Sequence, residues 1–423
     1  MDVLLKSVRV VYPGNSHHQK VRDLLIINGR IRQVAASVTD VPESVKTIDQ
    51  KGKYVSPGWL DMRANFRDPG QEYKEDLQSG SRAAAAGGFT EVLLMPSVHT
   101  PVQSKAQVEY LLQKSKNNLV TCHVAGCLTA NRAGSEMAEM FDMMQGGAVA
   151  FTDDKLASHN AGLLLRCFLY GQSVNATVIV YADEPSLSGK HLINDSVHSV
   201  NTGMKGSPAI AEEIGLSKIL RVAEYAKVPV HISGISTAGS VQLLRNAKSK
   251  GIEFTAEVYA HHLMLEDEEV ESFDSNLKVK PVLRSKQDIA ALKKGIADGV
   301  IHVVCSDHSP HEDDAKNVEY DFAAHGISSA ETTFATLNTA FKGQLPVETI
   351  VEKLALNPRN ILQLPLPSLN EGEMANLTVF STEEEWTFTT DKMFSRSHNS
   401  PFNNTVFTGK VTGVINNNKI AGF

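Results

Sequence analysis

The chain has few cysteines, and none is spaced for a metal finger. Cys122, Cys127, Cys167 and Cys305 are the only four in 423 residues. No CxxC pair occurs, so zinc-ribbon and disulfide-scaffold classes are excluded, and buried free thiols in a reducing compartment are expected. No stretch approaches the ~18 consecutive apolar residues that a membrane span requires. The opening run from Met1 to Gly14 alternates like a strand and carries no continuous apolar segment. No secretory leader is expected, and the cytoplasm is the expected location. A strong charge excess is missing too. Lys and Arg number 41 against 48 Asp and Glu, a net charge of −7, which argues against non-specific binding to nucleic acid or an anionic membrane. No GxGxxG follows a strand, which weighs against an open dinucleotide-binding sheet.

What remains is an ordinary globular composition, 42% hydrophobic and 21% charged. The length suits one large α/β barrel plus a minor domain. Segments 3–11, 24–34 and 53–55 are strand-like, with the turn Asn28-Gly29 inside the second and Pro57-Gly58 closing the block. Segments 376–380, 385–389 and 406–416 have the same character. Two β-rich ends predict one small sheet domain built from both. The middle differs. Candidate strands at 91–95, 120–125, 148–152, 176–182, 229–233, 253–258 and 302–306 alternate with candidate helices at 77–86, 105–116, 161–170, 211–225, 238–250 and 328–342. This βα order predicts a parallel sheet, and its repeat number suits a closed (β/α)₈ barrel.

Barrel enzymes carry their chemistry at the C-terminal strand ends. There the run Pro57-Gly58-Trp59-Leu60-Asp61-Met62-Arg63-Ala64-Asn65-Phe66-Arg67-Asp68-Pro69-Gly70 resembles the opening motif of the type I dihydroorotases, in the amidohydrolase superfamily. The likeness continues through Gln71 to Asp76, through Ala83 to Thr90, and through Gly147-Ala148-Val149-Ala150-Phe151-Thr152-Asp153-Asp154. It goes on through Glu257-Val258, His261-His262-Leu263 and Asn399-Ser400-Pro401-Phe402. Ser306-Asp307-His308-Ser309-Pro310-His311 is close to the family's late TDHAPH motif. The resemblance implies a (β/α)₈ TIM barrel over 57–368 and a small β-sandwich from 1–56 and 369–423. It also implies reversible ring closure of carbamoyl aspartate to dihydroorotate, with one or two zinc ions activating a water.

The metal ligands of that pattern are missing. Its HxH positions hold Arg63 and Asn65. Arginine stays protonated and has no lone pair to give, and asparagine offers only a neutral carbonyl. The third His position is Tyr181, whose phenol titrates near 10. The fourth is Gly234. His231 lies an odd number of residues away and faces the other side of a regular strand, so it is read as a packed or hydrogen-bonded histidine. Two acidic positions remain: Asp307, a vestigial general acid/base, and one of Asp153 and Asp154, with Asp153 favoured. No cofactor is expected. Arg63 is expected to replace the metal's charge against Asp153 and Asp307.

Among positions that bind substrate in the family, Arg67 and His311 are kept. Ser97 stands where the family has Asn, and Lys280-Pro281-Val282 where it has Asn-Pro-Pro. The reading is a catalytically inactive dihydroorotase-like protein of pyrimidine biosynthesis. Its expected role is that of a structural or regulatory partner of aspartate transcarbamoylase or of an active dihydroorotase, and the family implies a homodimer. The alternative is an active cyclic amidohydrolase with an unusual single-metal site, the metal then being zinc, or a metal-free one, in which Tyr181, Asp183, Glu184 and Asp307 supply different ligands or acid/base groups.

Overall fold

The computed structural model describes residues 2–157 and 160–422. Eight parallel strands follow one another around a barrel: Trp59–Ala64, Phe89–Leu94, Thr121–Gly126, Ala148–Phe151, Thr177–Tyr181, Val230–Ser233, Phe254–Tyr259 and Val303–Cys305. Each pairs with the next in sequence. The last strand meets the first through a bridge between His308 and Ala64, where Asn65 N–H donates to His308 O at 2.9 Å. The closed TIM barrel expected from the βα alternation is therefore present. Seven strands fall on the segments that the apolar runs predict. The first, Trp59–Ala64, is not among them. All six of its residues are buried, yet Asp61 and Arg63 interrupt the apolar pattern that would reveal it.

Helices wrap the outside. Leu77–Ala86 starts at Asp76, whose carboxylate accepts from the N–H groups of Gln78 and Ser79 at 2.8 Å, a cap of the kind usually worth about 1 kcal/mol. Gly80 lets this helix lie flat on Phe66, since a Cβ there would come within 2.4 Å of the ring. The predicted helix over 328–342 is instead a short 3₁₀ turn, Ala330–Thr332, leading into Thr333–Ala340.

Both termini build the second domain. Val3–Val10, Val21–Ile27, Arg30–Ala35, Lys46–Asp49 and Tyr54–Pro57 join Leu377–Thr387, Val406–Asn416 and Lys419–Gly422 in one mixed sheet of eight strands. Asn28 and Gly29 have φ of 52° and 73°, as a two-residue hairpin loop requires. The two short segments predicted at 376–380 and 385–389 are one strand with an irregular register. Trp59 fastens barrel to sheet, its ring 5.0 Å from Phe334 and 5.1 Å from Phe380. Among the described residues no helix is long and apolar enough to cross a membrane.

Candidate functional site

The first barrel strand bulges between Asp61 and Ala64, and bulges of this kind re-aim side chains at barrel rims. Here Arg63 lies in the barrel mouth, 1% exposed. Its Nε donates to Asp307 Oδ1 at 3.2 Å, one Nη donates to Asp154 Oδ1, and the other lies 3.6 Å from Glu257 Oε1. The guanidinium carbon stands 5.3 Å from the centre of the Tyr259 ring. Burial works against the Arg63 charge, but Tyr259 and the carboxylates of Asp307 and Glu257 outweigh it and hold the guanidinium above its ordinary range.

A second cation completes the cluster. Lys155 Nζ donates to the other Asp307 oxygen at 2.7 Å and sits 5.3 Å from the centre of the same Tyr259 ring. Burial pushes its amine down to about 8, with Asp307 opposing and Arg63 reinforcing that shift. Arg132 lies 4.0 Å from Asp154. At an effective dielectric near 20, like charges about 4 Å apart repel by roughly 4 kcal/mol, and these cations offset that repulsion among the three clustered carboxylates.

The expectation for Asp153 is corrected. Its carboxylate turns away from the mouth and accepts from Leu128 N–H at 3.1 Å, Thr129 N–H at 2.9 Å and the Thr129 hydroxyl at 2.5 Å. Asp154, at φ 59°, faces Arg63 instead and also accepts from the Ser97 hydroxyl. The left-handed backbone at Asp154, rather than the alternation of an extended strand, sends the two side chains apart, so only one enters the mouth. Nothing in the sequence says which.

The other positions are tied into the scaffold. Asn65 donates to Ser97 O and Oγ at 2.9 and 3.0 Å, while its carbonyl accepts from Arg67 N–H at 2.9 Å. Arg67 Nε donates to Pro310 O at 3.0 Å, and its Nη2 lies 3.0 Å from His311 Nε2. Burial draws Arg67 down to about 10. Burial and the cations Arg67 and Lys74 push His311 to about 2, leaving it neutral. His231 lies lower in the barrel, with Nδ1 2.8 Å from Thr255 Oγ1 and Nε2 3.1 Å from Glu257 Oε2. His308 Nε2 is 3.3 Å from Glu75.

Zinc would need neutral imidazoles and carboxylates converging on one point. The residues present do not fit it. Arg63 fills one ligand position with a cation. Tyr181 is buried, and burial holds its phenol well above the ordinary range. Gly234 has φ 67°, and a Cβ there would meet the Tyr259 hydroxyl at 2.6 Å. Asp183 accepts from Ser188, and Glu184 accepts from Ser186 at the outer end of the strand, so neither joins Tyr181 and Asp307 as an alternative ligand set. Among the described residues no three His, Cys, Asp or Glu side chains converge as a metal site. Both Asp307 oxygens are held by cations, Oδ1 by Arg63 and Oδ2 by Lys155. Sequence reasoning missed Lys155, Glu257 and Tyr259 in this cluster. The signal for Lys155 was a basic residue directly after Asp153-Asp154.

Comparison with known proteins gives a consistent picture. The profile of the Amidohydrolase family matches residues 54–421. The chain is 38% identical over 404 residues to a dihydroorotase of Geobacter sp. strain M21, covering 95% of each chain. It is 36% identical over 422 residues to a dihydroorotase of Geotalea daltonii, covering 99% of each. Among solved structures, an L-hydantoinase (dihydropyrimidinase) from Arthrobacter aurescens superposes with a TM-score of 0.86 over 100% of this chain and 96% of its own, at 22% identity. The dihydropyrimidinase from Brevibacillus agri gives 0.81 at 16% identity, covering 100% of this chain and 95% of its own. At such identities these two speak for the fold alone.

Proposed function

Because the chain belongs to the amidohydrolase family, with dihydroorotases among its relatives, we propose that it is a dihydroorotase-like protein that has exchanged catalysis for a structural or regulatory role. One observation carries this reading: the Arg63 guanidinium stands among Asp154, Asp307 and Glu257, where the family's metal chemistry would require an acceptor. Lys155 adds a second positive charge on Asp307. Together the two cations supply the charge that metal ions would otherwise provide, and they occupy both oxygens of Asp307. Hydrolysis of a cyclic amide needs an activated water and a polarised carbonyl. Among the described residues no His, Cys, Asp or Glu group converges to hold the metal that would supply them.

The role that remains is assembly. The resemblance names aspartate transcarbamoylase, or an intact dihydroorotase, as the partner, with a homodimer as the unit. The test takes untagged protein and follows both dihydroorotate hydrolysis and carbamoyl aspartate cyclisation by chromatography. It then sediments the protein alone and with aspartate transcarbamoylase from the same source. The reading expects no turnover in either direction and a faster-sedimenting complex. Turnover would overturn the loss of catalysis, and independent sedimentation of the two proteins would remove this partner.

A further inference from the structure

Where the barrel meets the terminal sheet there is a second cavity of about 740 Å³, and no member of the Arg63 cluster lines it. Its volume lies in the range of small-molecule sites, which favour such domain junctions. The walls come from the helix Leu77–Ala86, the helix Thr333–Ala340 and the strands Leu377–Thr387 and Val406–Asn416.

The floor is apolar, formed by Phe334, Trp386, Phe388 and Val411, with Phe394 half-exposed at the lip. Four cations surround it: Arg82, Lys392, Lys410 and Lys419. Lys410 is paired with Glu384 at 2.6 Å, and Lys419 donates to Asn117 O. Arg82 and Lys392 have no ion pair among the described residues. Glu331 is the only carboxylate among the described residues lining the cavity, and it accepts from the backbone N–H groups of Phe394 and Ser395 at 2.9 and 3.0 Å. It is turned to the backbone rather than to the two unpaired cations. Asp391 acts on Lys392 from beside it, yet neither cation is ion-paired among the described residues, and an aromatic floor beneath such positive charge selects a molecule with an apolar body and one negative end. A neutral apolar molecule would leave the cations unused, and a compact inorganic anion would leave the floor exposed.

We propose that this cavity binds an amphipathic organic anion, with an aromatic or short acyl body against Phe334, Trp386 and Phe388 and its acidic head between Arg82 and Lys392. The proposal stands apart from the loss of catalysis at the barrel mouth, because the two sites share no residue.

The protein carries only two tryptophans. Trp59 is fully buried, whereas Trp386 lines the cavity, so Trp386 reports directly on occupancy. The full chain is titrated with 1-anilinonaphthalene-8-sulfonate, with tryptophan excitation, and decanoate and decanol are then added as competitors. The proposal expects saturable binding of one probe per chain, energy transfer that falls in Trp386→Phe to what Trp59 alone supplies, and displacement by decanoate but not by decanol. The paired variant Arg82→Glu with Lys392→Glu should weaken binding by about tenfold or more. Both positions are exposed, so circular dichroism should show an unchanged fold. Binding that does not saturate, or that survives undiminished in the paired variant, would overturn the site. Displacement by decanol as readily as by decanoate would overturn its selectivity for an anion.

Discussion

The hydroxyl of Tyr259 stands 2.6 Å from where the Cβ of any side chain at residue 234 would lie. A phenol has filled the space that a side chain at Gly234 would need. The same ring receives Arg63 and Lys155, each 5.3 Å from its centre, and cation–π contacts of this kind are stronger when desolvated. The glycine at 234 and the seating of two cations are therefore one packing arrangement.

This coupling predicts the behaviour of Gly234→Ala. A left-handed backbone and a sub-van-der-Waals approach to Tyr259 act together, and overpacking of a tight interior typically costs about 1–3 kcal/mol. Tyr259→Ala alone should cost stability through the cavity it leaves. The double variant should be more stable than the sum of the two single losses implies. Denaturant unfolding of the four proteins measures the coupling, and strict additivity would disconnect the two positions.

Arg63→Ala should be strongly destabilising. It removes the one cation among the described residues that touches Asp154, Asp307 and Glu257 together, leaving Lys155 on Asp307, Arg132 beside Asp154 and His231 beside Glu257. Removing one partner from a buried ion pair costs about 3–5 kcal/mol. Arg63→Lys should recover only part of this, because a single ammonium cannot reach all three carboxylates. Urea unfolding at neutral pH reads both, and an unchanged midpoint for Arg63→Ala would end the stand-in account.

Asp153 and Asp154 should separate by the partners they lose. Asp153→Ala strands the N–H groups of Leu128 and Thr129, a local loss of about 1–3 kcal/mol. Its effect should add to that of Arg63→Ala. Asp154→Asn removes a direct Arg63 partner and should be non-additive with Arg63→Ala. A double-mutant cycle distinguishes them, and the reverse pattern would reinstate Asp153 as the residue of the mouth.

Glu331 gives a pH signature. Burial pushes its carboxyl up to about 7 from an ordinary 4.5. A carboxyl raised in the folded state binds more protons folded than unfolded, so its contribution is present below the unfolded value and is lost as pH rises through the folded one. Wild-type stability, relative to Glu331→Gln, should fall between about pH 4.5 and 7 and stay level above. Parallel stability curves across that window would contradict it.

Much of the architecture was legible because periodicity is local. The hairpin at Asn28-Gly29 announces itself in two residues, and the βα alternation announces the barrel. Trp59–Ala64 was hidden because its polar members serve the barrel mouth, and Lys46–Asp49 because four residues carry too little pattern. At the site, Arg63, Asn65, Tyr181 and Gly234 could be read as departures from a family pattern. Their partners could not. Lys155, Glu257 and Tyr259 reach Arg63 from other strand ends, and that proximity is set by barrel closure. The choice between Asp153 and Asp154 turned on one backbone angle, which the sequence does not encode visibly.

The most direct measurement is zinc stoichiometry by elemental analysis, on untagged protein saturated with zinc and then dialysed against metal-free buffer. If Arg63 and Lys155 hold the place of the metal, the content falls far below one ion per chain. One zinc or more per chain, lost on substitution of Asp154 or Asp307, would contradict the account and show that carboxylates and cations in this mouth still assemble around a metal.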